Sequence, residues 1–219
     1  IYLDQRTTPS AEHLIEIVKY AKSKKLRVLM MPIVLLDDPG TEWRGTIKPS
    51  SWDGWFSSYR EMMTHFSWIA QASGVDILVV GSELASTEDK LEQWTQTIDA
   101  VRKIYTGRLT YSSNWDHYKS IPFWDQLDLI SMNSYWSFVR GGWAPGKEKE
   151  VTPEKIQKRW KEIQEEVLPF VAEKKKPLVF TEVGWCSIAS MAHEPWDYTK
   201  DESVAPTDMN MQKMLYEGF

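Results

Sequence analysis

Apolar residues along the chain switch between two spacings. Leu14, Ile17, Val18 and Ala21 recur with the period of a helix, and Thr8-Pro9 upstream reads as an N-cap with proline at the first helical position. Residues 26–36 then form an apolar run of the kind that a strand buried on both faces requires. A loop over 37–51 follows, carrying Asp38-Pro39-Gly40 and Trp43-Arg44-Gly45. Trp55, Tyr59, Met62, Phe66 and Ile69 line one side of a second helix, and residues 75–80 are the next buried strand, running into Gly81-Ser82-Glu83.

The alternation continues. Leu91, Trp94, Ile98, Val101 and Tyr105 make a helical stripe that Gly107 should stop. Residues 109–115 are a third strand, 123–127 a short helical or irregular stretch, and 129–135 a fourth strand. Thr152-Pro153 caps a helix with Ile156, Trp160, Ile163, Val167 and Phe170 facing inward. Residues 177–180 are a fifth strand leading into Thr181-Glu182-Val183-Gly184-Trp185, and 209–216 begins another helix.

Strands alternating with helices specify α/β architecture with a parallel sheet. A doubly wound sheet and a (β/α)8 TIM barrel both satisfy the alternation. No Gly-rich phosphate loop follows an early strand, which disfavours a dinucleotide-binding fold. Polar and aromatic residues instead crowd the C-terminal ends of several strands, where a barrel keeps its site. The count of five strands, with a stub at residues 1–3, falls short of eight. The chain starts with Ile before a helix cap and stops within a helix pattern. The expectation is one barrel domain over 1–219, truncated at both ends.

Composition narrows the function classes. The chain has 219 residues, 42% apolar and 26% charged, an ordinary globular balance. A net charge of -5, with Lys174-Lys175-Lys176 the one basic run, argues against nucleic acid as partner. The longest apolar run, residues 28–36, contains Pro32 and is too short to cross a bilayer. Cys186 alone gives no disulfide framework, and four scattered His residues suggest no metal site. Twelve Trp residues are many for this length. They fit an aromatic core or a cleft that stacks flat sugar rings, and position must separate the two. Trp68, Trp94 and Trp160 fall on helix stripes and read as core, whereas Trp52, Trp55, Trp124, Trp143 and Trp196 are ambiguous.

Glu83 and Glu182 each follow a small polar residue at the end of a strand. Singly, either could be a helix cap or a loop ion pair. As a pair at matching ends of two barrel strands, they are what glycoside hydrolysis uses: one carboxyl protonates the leaving oxygen, the other attacks the anomeric carbon or activates water. Tyr135 is placed to hydrogen-bond Glu182 and favour its ionised form. Asn114 is a candidate donor to a sugar hydroxyl, and Trp115, Trp136 and Trp185 sit just past strand ends as candidate stacking surfaces. Trp43 and Arg44 read as a subsite wall.

The motifs Trp43-Arg44-Gly45, Trp55-Phe56, Gly81-Ser82-Glu83-Leu84, Leu109-Thr110-Tyr111 with Ser113-Asn114-Trp115-Asp116, Phe123-Trp124 with Leu127-Asp128, and Thr181-Glu182-Val183-Gly184-Trp185 together resemble glycoside hydrolase family 113 over nearly the whole chain. The resemblance implies a retaining (β/α)8 hydrolase with endo-β-1,4-mannanase activity. It makes Glu83 the acid/base on strand four and Glu182 the nucleophile on strand seven. It also numbers residues 26–36 as strand three and residues 1–3 as the end of strand two, so that strands two or three to seven are present and strands one and eight lie outside the sequence. Much of the wider clan carries Asn before the acid/base, where its amide meets the sugar 2-hydroxyl; here Ser82 stands there. The acid/base is expected to hold its proton more tightly because a second carboxylate is near. No cofactor is implied, the partner is an oligo- or polysaccharide, and the sequence leaves the compartment open, a secreted or cell-surface place being suggested by the substrate class alone. A β-glucanase, an exo-acting β-mannosidase and a non-catalytic carbohydrate-binding barrel are the alternatives. A metal-dependent hydrolase on the same fold is disfavoured by the lack of clustered His.

Overall fold

A computed structural model describes residues 1, 4, 6–37, 42–197 and 205–219. They form two units, Ile1–Met132 with Lys176–Val179 and Asn133–Lys175 with Phe180–Phe219. The expected stub over 1–3 falls partly on Tyr2 and Leu3, which lie outside the described residues, as does the Asp38-Pro39-Gly40 turn.

In the first unit, α1 (Ala11–Ser23) starts two residues later than expected. Ser10, not Thr8, is the cap, its hydroxyl accepting from the His13 amide at 3.3 Å, so Pro9 precedes the helix. The strand expected over 26–36 shrinks to β1 (Leu29–Met30), which pairs in parallel with β2 (Ile77–Ser82). It is an end strand of the sheet, and Pro32 lacks the amide needed to extend the ladder. Leu26, Ile33 and Leu35 are correspondingly exposed rather than buried on two faces. The β1–β2 crossover is tied by Asp76, whose carboxylate accepts from Lys22 Nζ at 2.6 Å and from the Val28 amide at 2.7 Å.

α2 (Trp52–Ser73) runs from a Ser51 cap to Gly74, whose φ of 78° closes the helix in the left-handed region. Phe56, Tyr59, Met63, Phe66 and Ile69 are buried on its inner face. Trp68 is 55% exposed, correcting its reading as core: two residues from Phe66, it projects away from the buried stripe. α3 (Leu91–Arg102) ends before Gly107. Tyr105 lies beyond it, buried, and its hydroxyl donates to Val75 O at 2.8 Å, a tertiary bond that the helical stripe concealed.

β2 pairs in parallel with β3 (Arg108–Ser113), and β3 with β4 (Ile130–Asn133). β5 (Leu178–Glu182) completes the order β1-β2-β3-β4-β5. The core of the first unit is aromatic. Trp94 stacks on Phe123 at 4.9 Å and meets Tyr111, Tyr59 and Phe56 edge-on at 5.3, 5.7 and 5.8 Å. Trp94 Nε1 donates to Thr87 O at 2.9 Å, so the one polar atom of the buried indole is satisfied.

In the second unit, α4 (Pro153–Lys174) has the expected Thr152 cap and Pro153 in its first turn. α5 (Met209–Gly218) is capped by Asp208, whose carboxylate accepts from the Met211 amide at 2.9 Å. Ile156, Met211 and Leu215 pack with Phe138, Trp185, Met191 and Ala192.

Candidate active site

Glu83 owes its position to three features of β2. The β2–β3 register shifts between Val79 and Ser82, so three steps on β2 answer two on β3, from Thr110 to Ser112. Such a bulge re-aims the residues that follow it. Gly81 sits at the irregularity because a β-carbon there would lie 2.7 Å from Trp94 Cη2 and 3.0 Å from the Tyr59 hydroxyl. Glu83 itself has φ of 53°, a left-handed conformation uncommon for a side-chain-bearing residue. Its amide donates to Ser112 O at 2.9 Å. Arg44 holds its carboxylate at 2.7 Å and donates through Nε to Ser82 O at 3.1 Å. The two side chains are 18% and 12% exposed, so the charge-assisted bond works with little competition from water. The Trp43-Arg44-Gly45 motif is thereby explained locally. Gly45 lies against the Trp43 indole, where any β-carbon would overlap ring atoms, and Trp43 is 40% exposed.

Behind Glu83 is a hydrogen-bonded chain that pattern reading missed. The Leu84 amide donates to the Tyr111 hydroxyl at 2.8 Å, and that hydroxyl donates to Glu88 Oε1 at 2.8 Å. Glu88 is 4% exposed, and burial pushes its carboxyl above the ordinary glutamate range. His117 Nδ1 approaches Glu88 Oε2 at 3.4 Å. Tyr111 lay inside a quoted motif, but nothing in the sequence linked it to Glu88. Asn114, just past β3, has a buried side-chain oxygen with no partner among the described residues, and Trp115 beside it is half-buried.

In the second unit, Glu182 ends β5, and its carbonyl accepts from the Ser134 amide at 2.8 Å. Tyr135 donates to Glu182 Oε2 at 3.0 Å, the bond expected from the order of residues. Two Trp expectations need correction here. Trp136 and Trp185 are each 3% exposed, so neither offers an open face to a sugar. Trp136 packs edge-on against Phe180 at 5.8 Å and Trp160 at 6.4 Å. Trp185 packs against Tyr216, Phe219 and Phe138 at 5.0, 5.5 and 5.8 Å. Position past a strand end did not reveal that α4, α5 and the loops supply aromatic partners.

Among the described residues, no group of three or more His, Cys, Asp or Glu is placed to hold a metal ion, and no helix is long and apolar enough to cross a membrane. What the two carboxylates have in common is a strand-end location and a specific partner, a guanidinium for Glu83 and a phenol for Glu182. These partners limit rotation of each carboxyl group, the positioning that acid, base or nucleophile work requires.

The family model for Glycoside Hydrolase Family 113 matches residues 1–219. A solved complex of a family 113 β-1,4-mannanase is 25% identical with a TM-score of 0.80, covering 95% of this chain and 62% of that one. The family 113 β-mannanase AaManA of Alicyclobacillus acidocaldarius, in complex with ManMIm, is 28% identical with a TM-score of 0.76 over the same shares. The chain thus spans 62% of the length of these structures. A β-glucuronidase from an uncultured Clostridium sp., 14% identical over 93% of this chain and 32% of that one with a TM-score of 0.59, is similar in fold alone. No curated protein matches the sequence significantly.

Proposed function

The chain belongs to glycoside hydrolase family 113, and from that membership we propose that it hydrolyses β-1,4-mannosidic bonds in mannan-type polysaccharides with retention of configuration. The reading takes residues 1–219 as part of one (β/α)8 catalytic domain. The observation that carries it is the Tyr135 hydroxyl on Glu182 at 3.0 Å, at the end of β5. The phenol fixes which way the Glu182 carboxyl group points, the positioning that a nucleophile needs.

Glu182 attacks the anomeric carbon as the bond from that carbon to the departing oxygen breaks. Glu83 gives its proton to that oxygen, and a glycosyl ester on Glu182 results. Water then attacks the same carbon, Glu83 takes its proton, and the carboxylate of Glu182 is released. Arg44, paired with Glu83 at 2.7 Å, holds the acid/base side chain in place while its charge changes. Exposed Trp43, half-buried Trp115 and the Asn114 side-chain oxygen, which has no partner among the described residues, are the proposed sugar contacts. The mannanase names carried by solved relatives at 25% and 28% identity support mannan as the substrate.

Glu182→Gln keeps the size and removes the nucleophile. Turnover of manno-oligosaccharides by the full-length protein should fall by about 10⁴-fold or more while binding persists. Near-parental hydrolysis in that variant would remove the assignment. Proton NMR of the first-formed product should show the β-anomer, and the α-anomer as first product would replace retention by inversion. Parallel assays on glucan oligomers fix the sugar.

A further inference from the structure

We propose that Tyr111 and Glu88 are positioning residues for Glu83, acting through the backbone amide of Leu84. The inference rests on the reading of Glu83 as the acid/base. A residue with a side chain persists in the left-handed region only where its surroundings over-determine it. At Glu83, with φ of 53°, the surroundings do so from both sides. Its own amide is bonded to Ser112 O at 2.9 Å, and the next amide, that of Leu84, to the Tyr111 hydroxyl at 2.8 Å.

The phenol cannot drift. Tyr111 is fully buried, with its ring 5.3 Å from both Trp94 and Phe123 and 6.4 Å from Trp124. Glu88 then settles which way the hydroxyl points. By accepting the phenol proton at 2.8 Å, it leaves the oxygen's lone pairs facing the Leu84 amide. Thr87 brings Glu88 into place by bonding back to Leu84 O through its amide, at 2.8 Å, and its hydroxyl, at 2.7 Å. A buried carboxylate is costly where a neutral group would suffice for packing. Its use here points to polarising the phenol and strengthening its hold on the amide. None of these groups touches the reacting atoms. They fix the backbone from which the Glu83 carboxyl is presented.

The test uses the leaving group. A general acid matters most when the departing oxygen is a poor leaving group and little when it leaves unaided. In the full-length protein, Tyr111→Phe should lower kcat/KM on manno-oligosaccharides by about tenfold or more, and lower kcat/KM on dinitrophenyl β-mannoside, which reads the first step alone, by less than about threefold. Hydrogen exchange at the Leu84 amide should speed up by about tenfold or more in the same variant. Glu88→Gln, which retains an acceptor for the phenol, should keep more oligosaccharide turnover than Glu88→Ala. This pair carries the test if Tyr111→Phe does not fold.

Equal losses on both substrates would reduce Tyr111 to packing and overturn the proposal. So would an unchanged Leu84 exchange rate, or equal turnover by the two Glu88 variants. Glu83→Ala separates this outcome from failure of the underlying reading. If Glu83→Ala retains parental turnover on both substrates, Glu83 is not the acid/base and both inferences fall. If it shows the leaving-group split and Tyr111→Phe does not, only the positioning proposal falls.

Discussion

Glu88 is an acidic side chain placed where a carboxylate is costly, and its titration is visible in stability. Burial raises its carboxyl above the usual value of 4.5, with the Tyr111 and His117 contacts and the nearby Asp116 charge as smaller influences. The folded state therefore binds this proton more tightly than the unfolded state does. Between the ordinary glutamate value and the raised folded one, the folded protein holds more protons, so stability falls as pH rises. Above that window the penalty is fully present. Glu88→Gln should remove this part of the slope, and the stability of the variant relative to the parent should grow as pH rises above 4.5. Urea unfolding at a series of pH values checks it; a difference that stays flat or shrinks with pH would contradict a carboxyl raised by burial. Asp76 behaves oppositely. Lys22 and the Val28 amide lower its carboxyl, and that support is lost only as pH falls through the lowered value.

At the scale of elements, three constraints meet at the end of β2. The bulge between Val79 and Ser82, the bare Cα of Gly81 against Trp94, and the left-handed Glu83 follow one another within five residues. Adding one methyl at Gly81 forces either the indole or the strand to move. Gly81→Ala should cost about 1–3 kcal/mol, read from the urea midpoint. It should also reduce turnover, because Tyr111 Cε2 lies 3.0 Å from the new carbon and the same ring anchors Leu84. Parental stability and activity would show that the packing there is looser than the distances imply. The glycine of the Gly81-Ser82-Glu83 motif was visible in the sequence. Its reason was not, because Trp94 arrives from α3, beyond the reach of a local pattern.

For the molecule as a whole, the decisive quantity is the separation of the Glu83 and Glu182 carboxyl groups in a crystal of the full-length protein with a manno-oligosaccharide. Retention requires about 5–5.5 Å, whereas about 6.5–9.5 Å would make room for water and mean inversion. The first value is expected, and a separation beyond about 10 Å would break the pair.

The order of elements was legible because period-2 and period-3.6 patterning is local. Helices and strands were found in sequence order, and the cap at Thr152 announced the start of α4, whereas the cap read at Thr8 lay two residues ahead of the one at Ser10. Strand-end positions for Glu83 and Glu182 followed from the same patterning, as did the Tyr135 bond to Glu182. Exposure was not legible. Trp68 looked apolar enough for the core and is 55% exposed, whereas Trp136 and Trp185 looked like cleft residues and are 3% exposed. Nor were the network from Glu88 through Tyr111 to Leu84 and the grip of Arg44 on Glu83, which join residues 23, 27 and 39 positions apart. The residue types that carry chemistry, and their places at strand ends, are properties of the linear pattern. Which side chains are held, aimed or covered depends on contacts between distant segments, and only packing in three dimensions creates those.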